Sequence, residues 1–159
     1  MTRQGENPAG MVEVPSAVLA ALRDAARAAW PAECCALLVG TVEAAAGAPG
    51  GRLWRVRRAV PTANAATRAD RFEVPPADLF AVLRAADAEG LALIGHHHSH
   101  PGGPARPSAT DAANAFYPDH TWLITATTAS GAPTESTAWL PGEAPGGFLP
   151  LALKILHDR

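Results

Sequence analysis

The segment Gly95-His96-His97-His98-Ser99-His100-Pro101 holds four of the chain's six histidines, and Ser108 and Asp111 follow it closely. On an extended backbone, side chains two apart point to the same side, so His98 and His100 can place two imidazoles on one ion. A third donor has to come from elsewhere. Asp111 can supply it if the Gly/Pro-rich stretch from Pro101 to Pro107 folds back and presents the first turn of the next helix to the strand end. Two histidines and one carboxylate suit an open Zn²⁺ site whose fourth position is left to water. The ion's Lewis acidity then brings that water's pKa toward neutrality, and a base is needed to take its proton. Glu33 is the leading candidate, because it follows the helix-stopping Pro31 and opens an apolar segment. By spacing alone, a residue so placed is more commonly a surface carboxylate at a helix end.

Structural roles compete for the same residues. Ser108 and Asp111 have the spacing of a helix N-cap with an acidic residue at the third helical position, close to a capping box. That is compatible with a ligand role, since a capped helix start also holds Asp111 rigidly. His97 is expected to face the opposite side of the strand from His98, and His96 to lie too far inward for the ion. Cys34 and Cys35 are expected to be buried structural thiols.

The elements that must position these groups follow from pattern and propensity. Met11 to Val14 alternates as a short strand. Pro15-Ser16 opens an Ala/Leu/Arg segment with Val18, Leu19, Leu22, Ala25, Ala26 and Ala29 at helical spacing, stopped by Trp30-Pro31. Cys34 to Val42 is an apolar run of strand length. A Gly/Ala/Pro loop separates it from the alternating Leu53, Arg55, Arg57 segment, which predicts a hairpin. Arg71 to Val74 reads as a brief strand. Ala77 to Ala88 reads as a helix opened by Pro75-Pro76 and closed by Gly90. Leu91 to His98 is a strand running into the histidine loop, and Ser108 begins a short helix ending near Tyr117-Pro118. Segments 120–127, 134–140 and 148–155 read as further strands. Helices mixed with adjacent and separated strands predict an α/β fold with a mixed, curved central sheet flanked by helices.

His98-Ser99-His100, the stretch Pro101 to Pro107, then Ser108, Ala109, Thr110 and Asp111, with Glu33 upstream, fill every position of a known motif. By it the chain resembles the JAMM or MPN-type zinc metallopeptidases, as a small prokaryotic member. The likeness extends to the Leu-Leu-Val-Gly after Glu33, to Asn64, to Arg71-Phe72-Glu73-Val74-Pro75 and to Tyr117-Pro118, and covers most of 11–155. Ala36 and His96-His97 depart from the usual residues there, which bears on packing and not on the ligand set. The resemblance implies a cytidine-deaminase-like, MPN-type sheet and one Zn²⁺ on His98, His100 and Asp111. It also implies Glu33 as proton carrier to the leaving amine, Ser108 as oxyanion donor, and Ser99 in support of the loop. The activity it implies is hydrolysis of a peptide or isopeptide bond after the C-terminal Gly-Gly of a ubiquitin-like or sulfur-carrier protein. The tail of that protein would pair with an exposed strand edge. Few residues separate Asp111 from the next strand, so linkage-specific cleavage of ubiquitin chains is not expected. A non-catalytic scaffold or ubiquitin-like-binding module is the alternative, opposed by the intact ligand set. A zinc base deaminase is disfavoured because no Pro-Cys-x-x-Cys segment is present.

Bulk properties narrow the rest. With 159 residues, 48% of them hydrophobic and 18% charged, the chain reads as one globular domain over 1–159 with a loose segment at 1–10. A net charge of −2 with dispersed arginines gives no basic stripe for nucleic acid, and Arg55, Arg57 and Arg58 read as one solvated strand face. No glycine loop matches a nucleotide fingerprint. Adjacent Cys34 and Cys35 oppose a mutual disulfide and suggest a reducing compartment. No apolar run approaches the roughly 18 residues of a membrane span. The expectation is a cytoplasmic protein without nucleic-acid or membrane partners, homodimer formation being left open.

Overall fold

The computed structural model describes residues 9–64, 74–115, 117–143 and 147–158. Met11–Pro15 (β1) alternates with Val12 and Val14 fully buried, and Ser16–Ala29 (α1) follows directly. Alanine-rich sequence favours the helix, and Leu19, Leu22 and Ala26 make its buried stripe. Trp30 leaves the helical region, as residues before proline tend to do.

Cys35–Ala44 (β2) and Arg52–Thr62 (β3) form the expected antiparallel hairpin, in register from Cys35↔Thr62 to Ala44↔Arg52. A register shift falls at Val39/Gly40, where a β-carbon on Gly40 would stand 1.9 Å from the Arg55 carbonyl oxygen. Only glycine fits that bulge. Pro76–Ala88 (α2) ends as expected at Gly90, whose φ of +70° lets the Leu91 N–H return to the Ala86 carbonyl at 2.9 Å. Ala92–His100 (β4), Ala109–Ala113 (α3), Thr121–Thr127 (β5), Pro133–Pro141 (β6) and Phe148–Leu156 (β7) complete the described elements. The third helix stops at Asn114, short of the expected Tyr117-Pro118. Of the strand expected at Arg71 to Val74, Arg71 to Glu73 lie outside the described residues, and Val74 is not in a strand.

The strand order is β1-β3-β2-β4-β5-β6-β7, and β7 returns to pair in parallel with β1, from Met11↔Ala152 to Pro15↔Leu156. The sheet is therefore a closed mixed barrel, which corrects the expected α/β arrangement of a central sheet flanked by helices. Alternation along a strand shows that one face is buried, but not whether the first and last strands meet. Here β1 is parallel to both its neighbours, β3 and β7, so two would-be edges disappear. One core joins Val12, Val14, Leu38, Trp54, Val56, Ile94, Leu123 and Leu151 from the strands with Leu19 and Leu22 from α1. A second packs Leu37 and Val39 against Val82 and Ala86 of α2. β2 contributes to both cores, Ala36 and Leu38 to the first and Leu37 and Val39 to the second, which explains its unbroken apolar run. Trp54 and Trp122 belong to the buried interior, while Phe116 lies outside the described residues.

Candidate metal centre

β4 pairs with β2 on one side and β5 on the other, so its last residues are held from both flanks. Strand alternation turns His98 and His100 the same way, their Nε2 atoms 3.0 Å apart. Asp111 meets both: Oδ1 lies 3.3 Å from His98 Nε2 and Oδ2 lies 3.0 Å from His100 Nε2. All three side chains are buried.

The intervening loop is fastened along its length. Gly102, at φ +67°, donates its N–H to Thr127 Oγ1 at 3.2 Å. Thr137 Oγ1 and Trp139 Nε1 both donate to the Ala105 carbonyl. Ser108 then caps α3, its Oγ accepting the Asp111 N–H at 3.1 Å while Asp111 Oδ2 accepts the Ser108 N–H at 2.8 Å. The capping box and the Asp111 orientation are thus one structure.

Glu33 is 5% exposed and lines a cleft of about 370 Å³ with Pro31, His100, Pro101, Gly103, Pro104 and Ser108. A larger hollow of about 460 Å³ lies to the side, walled mainly by apolar groups such as Leu37, Leu79 and Trp122. Glu33, His100 and Ser108 open into the smaller cleft.

Electrostatics set the character of the cluster. Burial alone would raise the Asp111 carboxyl, yet hydrogen bonds with His100 and His98 and with the Ser108 backbone hold it far below the usual carboxylate range. Burial pulls His98 below its ordinary value despite that carboxylate. For His100 burial also works downward, but its bonds to Asp111 and to Pro104 prevail and raise it. The His100 Nδ1–H donates to the Pro104 carbonyl at 2.9 Å, so Nε2 is the ring nitrogen turned to Asp111 and His98. A proton on Nε2 makes this contact a charge-assisted hydrogen bond to Asp111, and the neutral ring offers there a lone pair that a cation can take up in the proton's place. Donors about 2.0–2.1 Å from a tetrahedral Zn²⁺ stand about 3.3 Å from one another; the two imidazole nitrogens here are 3.0 Å apart, each meets one of the two Asp111 oxygens at 3.0 to 3.3 Å, and one donor atom from each residue lies within 4.8 Å of the others. The residues fit a divalent cation.

Neighbouring residues divide as expected from alternation. His97 faces away, its Nε2 2.8 Å from Thr125 Oγ1 and its Nδ1 3.9 Å from Cys34 Sγ. His96 packs edge-to-face against Trp122, centroids 4.3 Å apart, and stacks 5.4 Å from the His98 ring. Cys35 is buried and pushed up to about 12 by that burial, whereas Cys34 is only half-buried. Sequence reasoning did not single out Thr127, Thr137 and Trp139. Their contribution depends on which strands lie beside the loop, and no motif spacing carries that information.

Fold and site together define a small mixed barrel with a His, His, Asp centre at one end. Residues 15–141 match the prokaryotic homologs of the JAB domain, and the chain belongs to that family. The resemblance drawn from the motif is thereby borne out. The chain is similar to the desampylase of Haloferax volcanii, 32% identical over 108 residues that cover 67% of this chain and 71% of the relative. Among solved structures it is similar to a Desulfitobacterium hafniense protein, at 26% identity and a TM-score of 0.77 over 93% of this chain and 94% of that one. A Salinibacter ruber protein is 32% identical with a TM-score of 0.66 over 92% of each chain. In fold the chain is also like a JAB1/MPN domain protein from Archaeoglobus fulgidus, at 17% identity and a TM-score of 0.51 over 91% and 98% of the two chains. Among the described residues no helix is long and apolar enough to cross a membrane.

Proposed function

We propose that this chain is a zinc-dependent isopeptidase or peptidase that cleaves after the C-terminal Gly-Gly of a ubiquitin-like or sulfur-carrier protein. The observation that carries the proposal is the convergence of His98, His100 and Asp111 on one point, with Glu33 lining the same cleft as His100. The likeness to a desampylase supports a protein modifier as the substrate. When bound, Zn²⁺ supplies Lewis acidity at this point and lowers the pKa of water there toward neutrality.

The chain's own residues do the remaining work. Glu33 takes a proton from the attacking water and delivers it to the leaving amine. Ser108 accepts the Asp111 N–H on its oxygen, so its O–H remains a donor for charge developing on the scissile carbonyl. Pro31, Pro101 and Pro104 give the cleft rigid walls against which an extended tail can lie. Among the described residues the closed barrel offers no long strand edge to an incoming tail. Main-chain pairing is confined to where ladders run out beside the cleft, as β2 and β3 do at Cys35 and Thr62.

Zinc-loaded protein, incubated with a fusion carrying a Gly-Gly-tailed carrier, should release the fused partner. Glu33→Gln should lower kcat by about 10²- to 10⁴-fold with zinc content unchanged. Equal cleavage by the two proteins would exclude the mechanism. A protein that binds the carrier tightly without cutting it would instead be a scaffold.

A further inference from the structure

Glu33 lies two residues before β2 begins, beyond the last ladder pairs of Cys35 with Thr62 on one side and His98 on the other. Continuing both registers outward sets Cys34 opposite Ser99, and Glu33 between Asn64 and His100. The backbone ladders have run out on the Asn64 side, and a side chain takes over. Asn64 Nδ2 donates to the Glu33 carbonyl at 3.1 Å, and the Cys34 N–H donates to Ser99 Oγ at 2.9 Å. That carbonyl and that N–H belong to the same peptide group. One peptide plane, the one leaving Glu33, is therefore gripped from β3's continuation through its oxygen and from the histidine strand through its nitrogen. Ser99 adds its own N–H to the Cys34 carbonyl at 3.4 Å.

We infer that Asn64 is a positioning residue for Glu33: its amide fixes the peptide plane that sets the direction in which the carboxylate leaves the backbone. The inference rests on the proton-carrying role proposed for Glu33. Asparagine suits the position because a short side chain with N–H donors can reach a carbonyl that the ladder no longer pairs, and aspartate of the same shape, when ionised, has no donor. Ser99 supplies the opposite grip and, sitting between His98 and His100, ties Glu33 to the strand that carries the imidazoles. Displacement of a catalytic group by about 1 Å can cost about 10²-fold in rate, so a clamp on this plane acts on turnover rather than on substrate affinity.

The test is a double-mutant cycle in the zinc-loaded, full-length protein. Asn64→Ala and Asn64→Asp should each lower kcat by about tenfold or more, with KM, zinc affinity and melting temperature close to wild type. Amide exchange of the Cys34 N–H should quicken. In a Glu33→Gln background, Asn64→Ala should cost nothing further, because its effect passes through Glu33. Wild-type kcat in Asn64→Ala beside an inactive Glu33→Gln would overturn the inference. Equal losses in both backgrounds would also overturn it, by showing a role in general stability. Wild-type activity in Glu33→Gln itself would instead remove the proposed base, and the positioning role with it.

Discussion

Adjacent histidines do different work in this chain, and His97 shows why. It is fully buried, hydrogen-bonded through Nε2 to Thr125 Oγ1, which lies 2.9 Å from Ser136 Oγ. Burial, helped by the neighbouring His98, lowers its pKa from 6.5 to about 3. In the unfolded chain the ring protonates near 6.5, while in the fold it stays neutral until about 3. Its contribution to stability is therefore complete above 6.5 and declines as pH falls toward 3, by up to about 1.4 kcal/mol per pH unit. Urea midpoints measured at descending pH should fall more steeply for wild type than for His97→Gln, which keeps a polar group but cannot charge. Parallel curves would show that His97 is not the group being titrated. The opposed directions of His97 and His98 were legible from strand alternation alone. The Thr125 and Ser136 partners were not, because they come from strands whose adjacency the alternation leaves open.

At the scale of elements, α3 and the loop before it combine structural and chemical demands in a few residues. By spacing alone Ser108 and Asp111 favour a capping box over donor and ligand, and in the structure the capping carboxylate is also the one that meets His98 and His100. The two contributions of Ser108 can be separated. Glycine is tolerated at an N-cap at a cost of only a few tenths of a kcal/mol relative to serine, but it has no hydroxyl to offer an oxyanion. Ser108→Gly should thus melt near the wild-type temperature while kcat falls about 10²- to 10³-fold. A loss of activity only in proportion to lost folded protein would contradict the donor role. Helix starts and stops were well marked in the sequence: Gly90 closes α2 and Pro31 follows α1. The length of α3 was not, since its only stop signal before Pro118 is Asn114, which caps the helix here and is a weaker mark than glycine.

For the molecule as a whole, the closure of the sheet is what the sequence concealed. Most strand positions were legible, yet the pairing of β7 with β1 joins segments from opposite ends of the chain and leaves no local mark. Closure has a measurable signature. Amides of β1 alternate between partners in β3 and β7, so all those in ladder positions should exchange slowly, at rates near those of β2. An open sheet would show one terminal strand with a fast-exchanging set. The same closed wall brings together parts of the chain far apart in sequence. β2 delivers Glu33 beside the histidines of β4, and β5 and β6 anchor the loop that returns Asp111 to them. Zinc titration calorimetry, run on the wild-type protein and on Asp111→Ala and His98→Ala, examines that assembly most directly. One Zn²⁺ per chain should bind to wild type, with affinity reduced by at least about 10²-fold in each variant. Undiminished binding in Asp111→Ala, with the same stoichiometry, would show that these three side chains do not hold a common ion.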